Sequence, residues 1–466
     1  MVANTNPGIY SRDEETIIAQ CTPQGSGAIA LLRACGTNAL SIISSISKLG
    51  SGKTIENVPT HTIHYGHVVN EQGSTIDHVM FMVMHGPKTF TGQHTVEITC
   101  HNNPFIVAQI IDRAIAHGAR YAQEGEFTRR AFLNNKIDLI QAEAINELIH
   151  ANTQLALKKS LAMLEGSFSH WVTALEDELY KALALSEASF EFIDEEISFG
   201  PQIAQRLTQT LASIATIKTT FDQQQQIRQG IRIALIGSVN AGKSSLFNAL
   251  LKQERAIVTN IAGTTRDVIE AGLQKDGNAW TLIDTAGLRS TDDVIEQEGI
   301  RRSLSEAKKA DIIILVYDSA RPMTQQEHEI YQQVLHEHAN KVIVVRNKID
   351  LPSYTDLQTP QNVPVIAATN TMQNTIDQLA DLISKKIAVL FASIDSPFLL
   401  NKRQFKLLLS IEQRLQEVLP MLQGTIAYEL VSYHLKDILE TLSELSGKTV
   451  SERGMDTVFR EFCVGK

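Results

Sequence analysis

The sequence predicts an α/β P-loop G domain with a mostly parallel sheet, inserted in an all-α helical domain and preceded by an α+β domain. Three observations predict it. Gly237 to Ser244 spell a complete G-x-x-x-x-G-K-[ST] loop between the apolar run Ile231 to Ile236 and the helical pattern Ser245 to Leu251. Strand-like runs then alternate with helical patterns as far as Ala388. On both sides of that stretch the apolar period becomes helical, and neither flank carries a stripe that can be satisfied alone.

Along the chain, residues 1–130 mix short β-like runs (Ile29 to Leu32, Val79 to Met84, Thr95 to Thr99) with Gly and Pro turns and form the α+β domain. Residues 131–228 are the first helical part, with apolar stripes through Ile137, Ile140, Ala144 and Leu148 and then Leu155, Leu161, Leu164, Phe168, Leu175, Leu179 and Leu183. The glutamine run Gln223 to Gln226 marks a boundary, although a helix end is equally compatible with it. Residues 229–388 are the nucleotide domain, with strands at Ile231 to Ile236, Trp280 to Ile283, Ile312 to Tyr317, Val342 to Val345 and Val363 to Ala367. Residues 389–466 complete the helical domain through Leu407, Ile411, Leu415, Val418 and Leu422 and then Leu435, Ile438, Leu442 and Leu445.

A length of 466 residues exceeds one core and suggests about three domains of about 150 residues each. The apolar runs are far shorter than the roughly 20 residues a bilayer needs, and the N-terminus lacks a basic start and apolar core. The expectation is a cytoplasmic protein with no membrane association. Cys21, Cys35, Cys100 and Cys463 lack paired or metal-ligand spacing, which argues against a disulfide framework or zinc site. A net charge of −10 argues against a broad phosphate-binding surface while leaving room for a local basic groove that holds folded RNA.

In the phosphate loop, backbone N–H groups close around phosphates, Lys243 reaches the β and γ oxygens, and Ser244 offers a hydroxyl to Mg²⁺. The base is specified by Asn347-Lys348-Ile349-Asp350, where the Asp350 carboxylate accepts from the two donors on the guanine edge that adenine lacks. Asp284-Thr285-Ala286-Gly287 places Asp284 near the metal and the Gly287 N–H at the γ-phosphate. Between these, Gly263-Thr264-Thr265-Arg266-Asp267 gives Thr265 as the switch threonine on the metal. The GTP site so defined takes in Asn240, Ala241, Gly242, Lys243, Ser244 and Ser245, then Thr259, Asn260, Ile261, Ala262, Gly263, Thr264 and Thr265. It is completed by Asp284 to Gly287, by Asn347, Lys348 and Asp350, and by the base-stacking segment Ala367, Ala368 and Thr369.

Further motifs run outside the nucleotide domain: Phe90-Thr91-Gly92, Gly125-Glu126-Phe127-Thr128, Arg130 to Asn134, Lys136 to Leu139, Gln141 to Ile145 and the ending Phe462-Cys463-Val464-Gly465-Lys466. With them the sequence resembles the MnmE (TrmE) family of tRNA modification GTPases. The resemblance implies an N-terminal folate-binding domain that also dimerises the protein, and a potassium-stimulated G domain. It implies a flavoprotein partner, MnmG, in a heterotetramer. With that partner the family adds an aminomethyl or carboxymethylaminomethyl group at carbon 5 of the wobble uridine, position 34, of certain tRNAs, using a one-carbon unit from 5-formyl- or 5,10-methylene-tetrahydrofolate. Carried over by position, Arg33, Glu97, Lys136 and Lys466 match folate contacts, and Cys463 matches a cysteine needed for modification.

The chain departs from the family pattern at Pro23-Gln24-Gly25-Ser26-Gly27-Ala28, which loses an arginine, and at His101-Asn102-Asn103, where a His-Gly-Gly turn is expected to survive through asparagine's tolerance of a left-handed backbone. Leu288 follows the D-x-x-G glycine where Ras-like switches carry a water-orienting glutamine, so another group must position water. Asp292, Asp293, Glu296 and Glu298 offer carboxylates, and Glu296 matches the family's catalytic glutamate; a solvated acidic loop is the plain alternative. In place of an arginine finger the resemblance implies K⁺, held by Asn240 and by oxygens of Thr259, Ile261 and Thr264, with Arg266 and Arg289 equally readable as switch-loop ion pairs. The competing reading from another class is an RNA-binding regulatory or assembly switch that hydrolyses GTP without one-carbon chemistry.

Overall fold

The computed structural model describes residues 14–25, 27–189, 199–218, 221, 228, 230–253, 269–275, 278–284, 304–354, 357–369, 372–392 and 397–465. The chain divides into two compact units, one of Met1–Asn146, Leu161–Ala212 and Lys406–Lys466, the other of Glu147–Ser160 and Ser213–Phe405. The chain therefore enters the first unit, leaves it and returns.

In the first unit, β1 (Ile17–Gln20), β2 (Ile29–Cys35), α1 (Ala39–Ser45), β3 (Ser47–Leu49), β4 (Thr62–Val69), β5 (Thr75–Met84), β6 (Thr95–His101), α2 (Pro104–Ala116) and β7 (Arg120–Tyr121) build a seven-stranded sheet of order β3-β4-β5-β6-β2-β1-β7 with two helices. Strand geometry alternates side chains between faces. Along β5, Val79, Phe81 and Val83 turn inward to meet Ile42, Ile43, Ile110 and Ile111, while His78, Met80 and Met82 face outward. Such burial contributes about 1.5–3 kcal/mol for each large apolar side chain. β4 escaped the sequence reading because Thr62, His64, Gly66 and His67 interrupt its apolar signal. Asn103 does not adopt the expected left-handed turn: its φ is −104°, and its side chain accepts from the Phe105 N–H as the N-cap of α2. Proline at the first helical position has no N–H to satisfy, so capping the next donor was worth more than the turn.

The rest of this unit is helical, with α3 (Glu126–Leu133), α4 (Leu139–Ile149), α5 (Gln154–Leu164), α6 (Ser167–Ala188) and α7 (Gly200–Lys218) along the first stretch, the second, third and fifth of these having residues in both units. α6 buries Phe168, Val172, Leu175, Leu179 and Leu183, a 3.6-residue stripe, and packs against the helix of residues 428–446, which buries Leu435, Ile438, Leu442 and Leu445. The Ser432 hydroxyl donates to Ser186 Oγ at 2.9 Å across that packing, and Lys448 pairs with buried Glu176 at 2.5 Å.

The second unit carries β8 (Ile231–Ile236), α8 (Lys243–Gln253), β9 (Ile269–Lys275), β10 (Asn278–Asp284), β11 (Ile312–Asp318), α9 (Gln325–His338), β12 (Val342–Asn347), β13 (Val365–Ala368) and α10 (Gln373–Ala392). The sheet order is β13-β12-β11-β8-β10-β9, parallel except for the β9–β10 hairpin. β11 is buried throughout because both faces are covered. Ile312, Ile314 and Val316 meet α8 and α10, and Ile313, Leu315 and Tyr317 meet Tyr331, Val334 and Leu335 of α9. β13 starts at Val365, two residues later than the apolar run suggests, because Pro364 has no N–H for the ladder. Its carbonyl still accepts from Val344 at 2.9 Å. The chain ends with α11 (Lys402–Val418), α12 (Tyr428–Ser446) and α13 (Glu452–Phe459).

Candidate functional site

β8 lies between β11 and β10, where the connections leave to opposite sides of the sheet, and the phosphate loop springs from its C-terminal end. That is the switch point at which open α/β sheets bind ligands. Gly242 has φ +97°, and a Cβ there would sit 2.0 Å from Asn347 Nδ2, so only glycine lets the base loop approach the phosphate loop this closely. The Asn347 amide uses the approach to donate to the Ala241 carbonyl at 2.7 Å.

Lys243 is buried and donates to the carbonyls of Gly237 and Ser238, both at 2.7 Å. Burial lowers its ammonium below the usual lysine range, and the neighbouring Asp284 carboxylate opposes that shift. Ser244 Oγ donates to Asp284 Oδ2 at 2.7 Å, joining the first turn of α8 to the end of β10. A hydroxyl and a carboxylate so paired are hard oxygen donors suited to Mg²⁺, which takes one or two protein oxygens beside substrate phosphates. Asn240 is exposed and holds φ +62°, on the same loop. Ser245 is exposed in the first turn of α8.

Around the base position, Asp350 Oδ1 accepts from Thr369 Oγ1 at 2.8 Å, and the Thr369 N–H donates to Thr375 Oγ1 at 3.2 Å. Thr369 and Ala368 are buried, so the segment Ala367 to Thr369 also holds the Asp350 carboxylate in place. Sequence reading placed Thr369 in that segment but had no signal for its bond to Asp350, which depends on β12 and β13 lying side by side. Lys348, with φ +62°, pairs with Asp318 at 2.6 Å. Thr259, Asn260, Ile261, Ala262, Gly263, Thr264, Thr265, Thr285, Ala286, Gly287 and Glu296 lie outside the described residues.

The second group of expected site residues gathers in the other unit. Arg33 on β2 and Glu97 on β6 are directly opposed in register, with Nε to Oε1 at 2.8 Å. The guanidinium also lies over the Phe127 ring, 5.4 Å from its centroid. Lys136 reaches Gly92, its Cε 3.0 Å from where a Cβ there would stand, and Asn134 Nδ2 donates to the Thr91 carbonyl at 2.7 Å. Beneath them Glu126 is fully buried and accepts from Arg120 at 2.6 Å and Arg130 at 2.8 Å, while Arg130 reaches Gln93 at 2.9 Å. Burial by itself would raise the Glu126 carboxyl, but Arg120, the Gln123 N–H and Arg130 outweigh it and hold the group below the usual range.

The C-terminal tail docks in this unit. Phe459 and Phe462 are buried with Leu139 and Ala142, the Gly125 N–H donates to the Cys463 carbonyl at 3.3 Å, and Val464 bridges Glu124. Gly465 lies against the Gln20 carbonyl and Cys21. Since Ala19 is the β1 partner of Arg33, the tail meets β1 beside the row that carries Arg33 and Glu97. Cys463 is exposed there; Lys466 lies outside the described residues.

A phosphate loop at the switch point of a parallel sheet, a serine hydroxyl bonded to the aspartate of a D-x-x-G motif and an Asn-Lys-x-Asp loop define a P-loop GTPase. The family model "GTP-binding protein TrmE N-terminus" matches residues 16–136, and "MnmE helical domain" matches residues 139–463. A tRNA modification GTPase MnmE of Geobacillus thermodenitrificans (strain NG80-2) is 37% identical over 97% of this chain and 99% of its own length. The protein of that name from Enterococcus faecalis (strain ATCC 700802 / V583) is 38% identical over 97% and 98%. Among solved structures, the G domain of the T. maritima FeoB iron transporter is 28% identical, covering 34% of this chain and 98% of that one at a TM-score of 0.26. The chain belongs to the MnmE family of tRNA modification GTPases.

Proposed function

We propose that this protein hydrolyses GTP and, with the flavoprotein MnmG, adds an aminomethyl or carboxymethylaminomethyl group at carbon 5 of the wobble uridine of certain tRNAs, using a reduced folate. The observation that carries this reading is the docking of the Cys463 tail against β1 beside the Arg33–Glu97 row, within one unit. A tail that served only as a terminus would have no reason to meet the sheet at the row bearing two of the expected folate contacts.

In this reading Lys243 and the loop N–H groups hold the phosphates, Ser244 with Thr265 holds Mg²⁺, and Asp350 accepts from guanine. Asn240, exposed and left-handed on the phosphate loop, offers its side-chain oxygen to K⁺. Glu296 positions water. A folate, when bound, supplies the one-carbon unit; Arg33 and Lys136 meet its carboxylates and Glu97 its polar pterin edge, with Lys466 closing the site. An outward sheet face exposing Ile29, Ile63, Tyr65, Met80 and Met82 supports a homodimer, since contiguous apolar surface of this kind marks interaction sites. No helix among the described residues is long and apolar enough to cross a membrane, and a cytoplasmic setting beside tRNA suits the reading. We read the domains as residues 1–130, 131–228, 229–388 and 389–466.

The test is a chain ending at Glu461, assayed for GTP turnover and, by mass spectrometry, for wobble uridines in cells that carry it alone. Turnover within twofold of the full chain with modified uridine reduced to background is the expected outcome. Full modification by the shortened chain would overturn the one-carbon role and leave an RNA-binding switch.

A further inference from the structure

Ser238, the second residue of the phosphate loop, is held by three different side chains, two of them from outside the loop. Its N–H donates to Tyr331 Oη at 2.9 Å, its carbonyl accepts from Lys243, and its Oγ accepts from Arg321 Nη2 at 3.0 Å. Tyr331 in turn donates to the Val316 carbonyl of β11 at 3.3 Å, so the phenol is braced on the sheet. Arg321 spreads its fork over Glu327, Nη1 to Oε2 at 3.0 Å and Nη2 to Oε1 at 2.5 Å, and its Nε lies 3.8 Å from Asp318 Oδ2. The same Asp318 oxygen receives Lys348 of the base-reading loop at 2.6 Å. Glu327 is itself fixed, because it closes the capping box with Thr324 at the start of α9.

Charges thus alternate from the base loop to the phosphate loop: Lys348, Asp318, Arg321, Glu327, and then the Ser238 hydroxyl. Burial would raise the Glu327 carboxyl, but Arg321, the Thr324 N–H and Ser238 hold it down at about 2, so at neutral pH it meets Arg321 as a carboxylate.

Lys243 gives two of its three N–H donors to the carbonyls of Gly237 and Ser238, which leaves the third for a β or γ oxygen. The Ser238 N–H and hydroxyl are held separately, by Tyr331 and Arg321. We propose that Arg321, backed by Glu327 and Tyr331, is a positioning residue for nucleotide binding: it fixes Ser238 so that the loop meets the phosphates in one shape, and through Asp318 ties that brace to Lys348 in the base loop. This rests on the guanine-nucleotide reading of the same site. Arg321 touches no nucleotide in this scheme; it acts through Ser238. Its value lies in geometry, because a bidentate fork fixes direction as well as distance and a lysine at the same place fixes only distance.

The test is the release rate of a fluorescent methylanthraniloyl-GDP from the full chain, with steady-state GTP turnover and melting temperature measured on the same samples. Arg321→Ala is expected to speed release at least tenfold and to raise KM with kcat changed less than threefold, and Arg321→Lys to fall between the two. Ser238→Ala, which leaves the Arg321–Glu327 pair intact, is expected to speed release about threefold or more, so a fold defect in Arg321→Ala does not remove the test. Glu327→Ala added to Arg321→Ala is expected to change release no further, since both act through one brace. Release within twofold of the unaltered chain for Ser238→Ala and Arg321→Lys, or a double variant whose effects add, would overturn the proposal. Failure of the unaltered chain to bind the labelled GDP would overturn the nucleotide reading instead and take this proposal with it.

Discussion

At the scale of single residues, the Asp350–Thr369 pair bears on the proposed choice of base. In that proposal the carboxylate accepts from guanine, and the 2.8 Å bond from Thr369 holds it in place. Asp350→Asn is expected to shift preference from GTP toward xanthosine triphosphate in competition binding, because loss of a matched polar partner changes discrimination by about 10⁴-fold. Thr369→Ala keeps the preference but weakens GTP binding about tenfold, since a hydrogen bond to a charged acceptor is worth about 1.5 kcal/mol or more. Equal loss for GTP and xanthosine triphosphate in Asp350→Asn would refute the assignment. Asp350 was readable from its four-residue motif, whereas Thr369 was readable only as part of a segment. Its bond spans two strands that are neighbours in space, not in sequence.

Elements explain how the tail reaches its seat. α13 ends at Phe459, whose ring and that of Phe462 bury among Phe132, Leu139 and Ala142, so two aromatics anchor what would otherwise be a frayed end. The turn that receives them is Gly125, at φ +65°, where a Cβ would stand 2.5 Å from the Phe459 carbonyl. Gly125→Ala is therefore expected to destabilise the protein by about 1–3 kcal/mol through strain and collision, and to make the last residues the first site cut in limited proteolysis. An unchanged melting temperature and cleavage pattern would show that the tail docks elsewhere. The glycine was visible in the sequence, at the head of a motif, but what it accommodates lies more than 300 residues away. Among the strands, the alternation of β5 and the buried run of β11 were legible, while β4 and β9 were not. His64, Gly66 and His67 broke the signal in β4, and Gly272 with the charged Glu270 and Lys275 broke it in β9.

For the molecule as a whole, the buried cluster of Glu126, Arg120 and Arg130 sets a dependence on acid. The Glu126 carboxyl is depressed in the folded state, so its contribution is present above the unfolded carboxylate value of about 4.3 and is lost as pH falls from there toward the lower folded value. Unfolding followed by circular dichroism is expected to steepen below about pH 4.3 in the native chain. Glu126→Gln should flatten that segment and cost about 3–5 kcal/mol at neutral pH, because it leaves buried arginine charge without its partner. An exposed ion pair would cost about 1 kcal/mol or less, which separates the two cases. A variant as stable as the native chain would place the cluster outside the stabilising core.

The sequence by itself determined the family and the three-part architecture and carried the motifs of the proposed nucleotide site, because phosphate and base recognition need fixed residue types at short, fixed spacings and because apolar period reports the element that bears it. Tertiary structure decided what is joined across distance: Arg33 to Glu97 through strand register, Thr369 to Asp350 across adjacent strands, Arg321 to Ser238 across the phosphate loop, and the tail to β1. Such pairings carry no local signal, since a hydrogen bond depends on where two backbones come to lie and any of several side chains serves at either end.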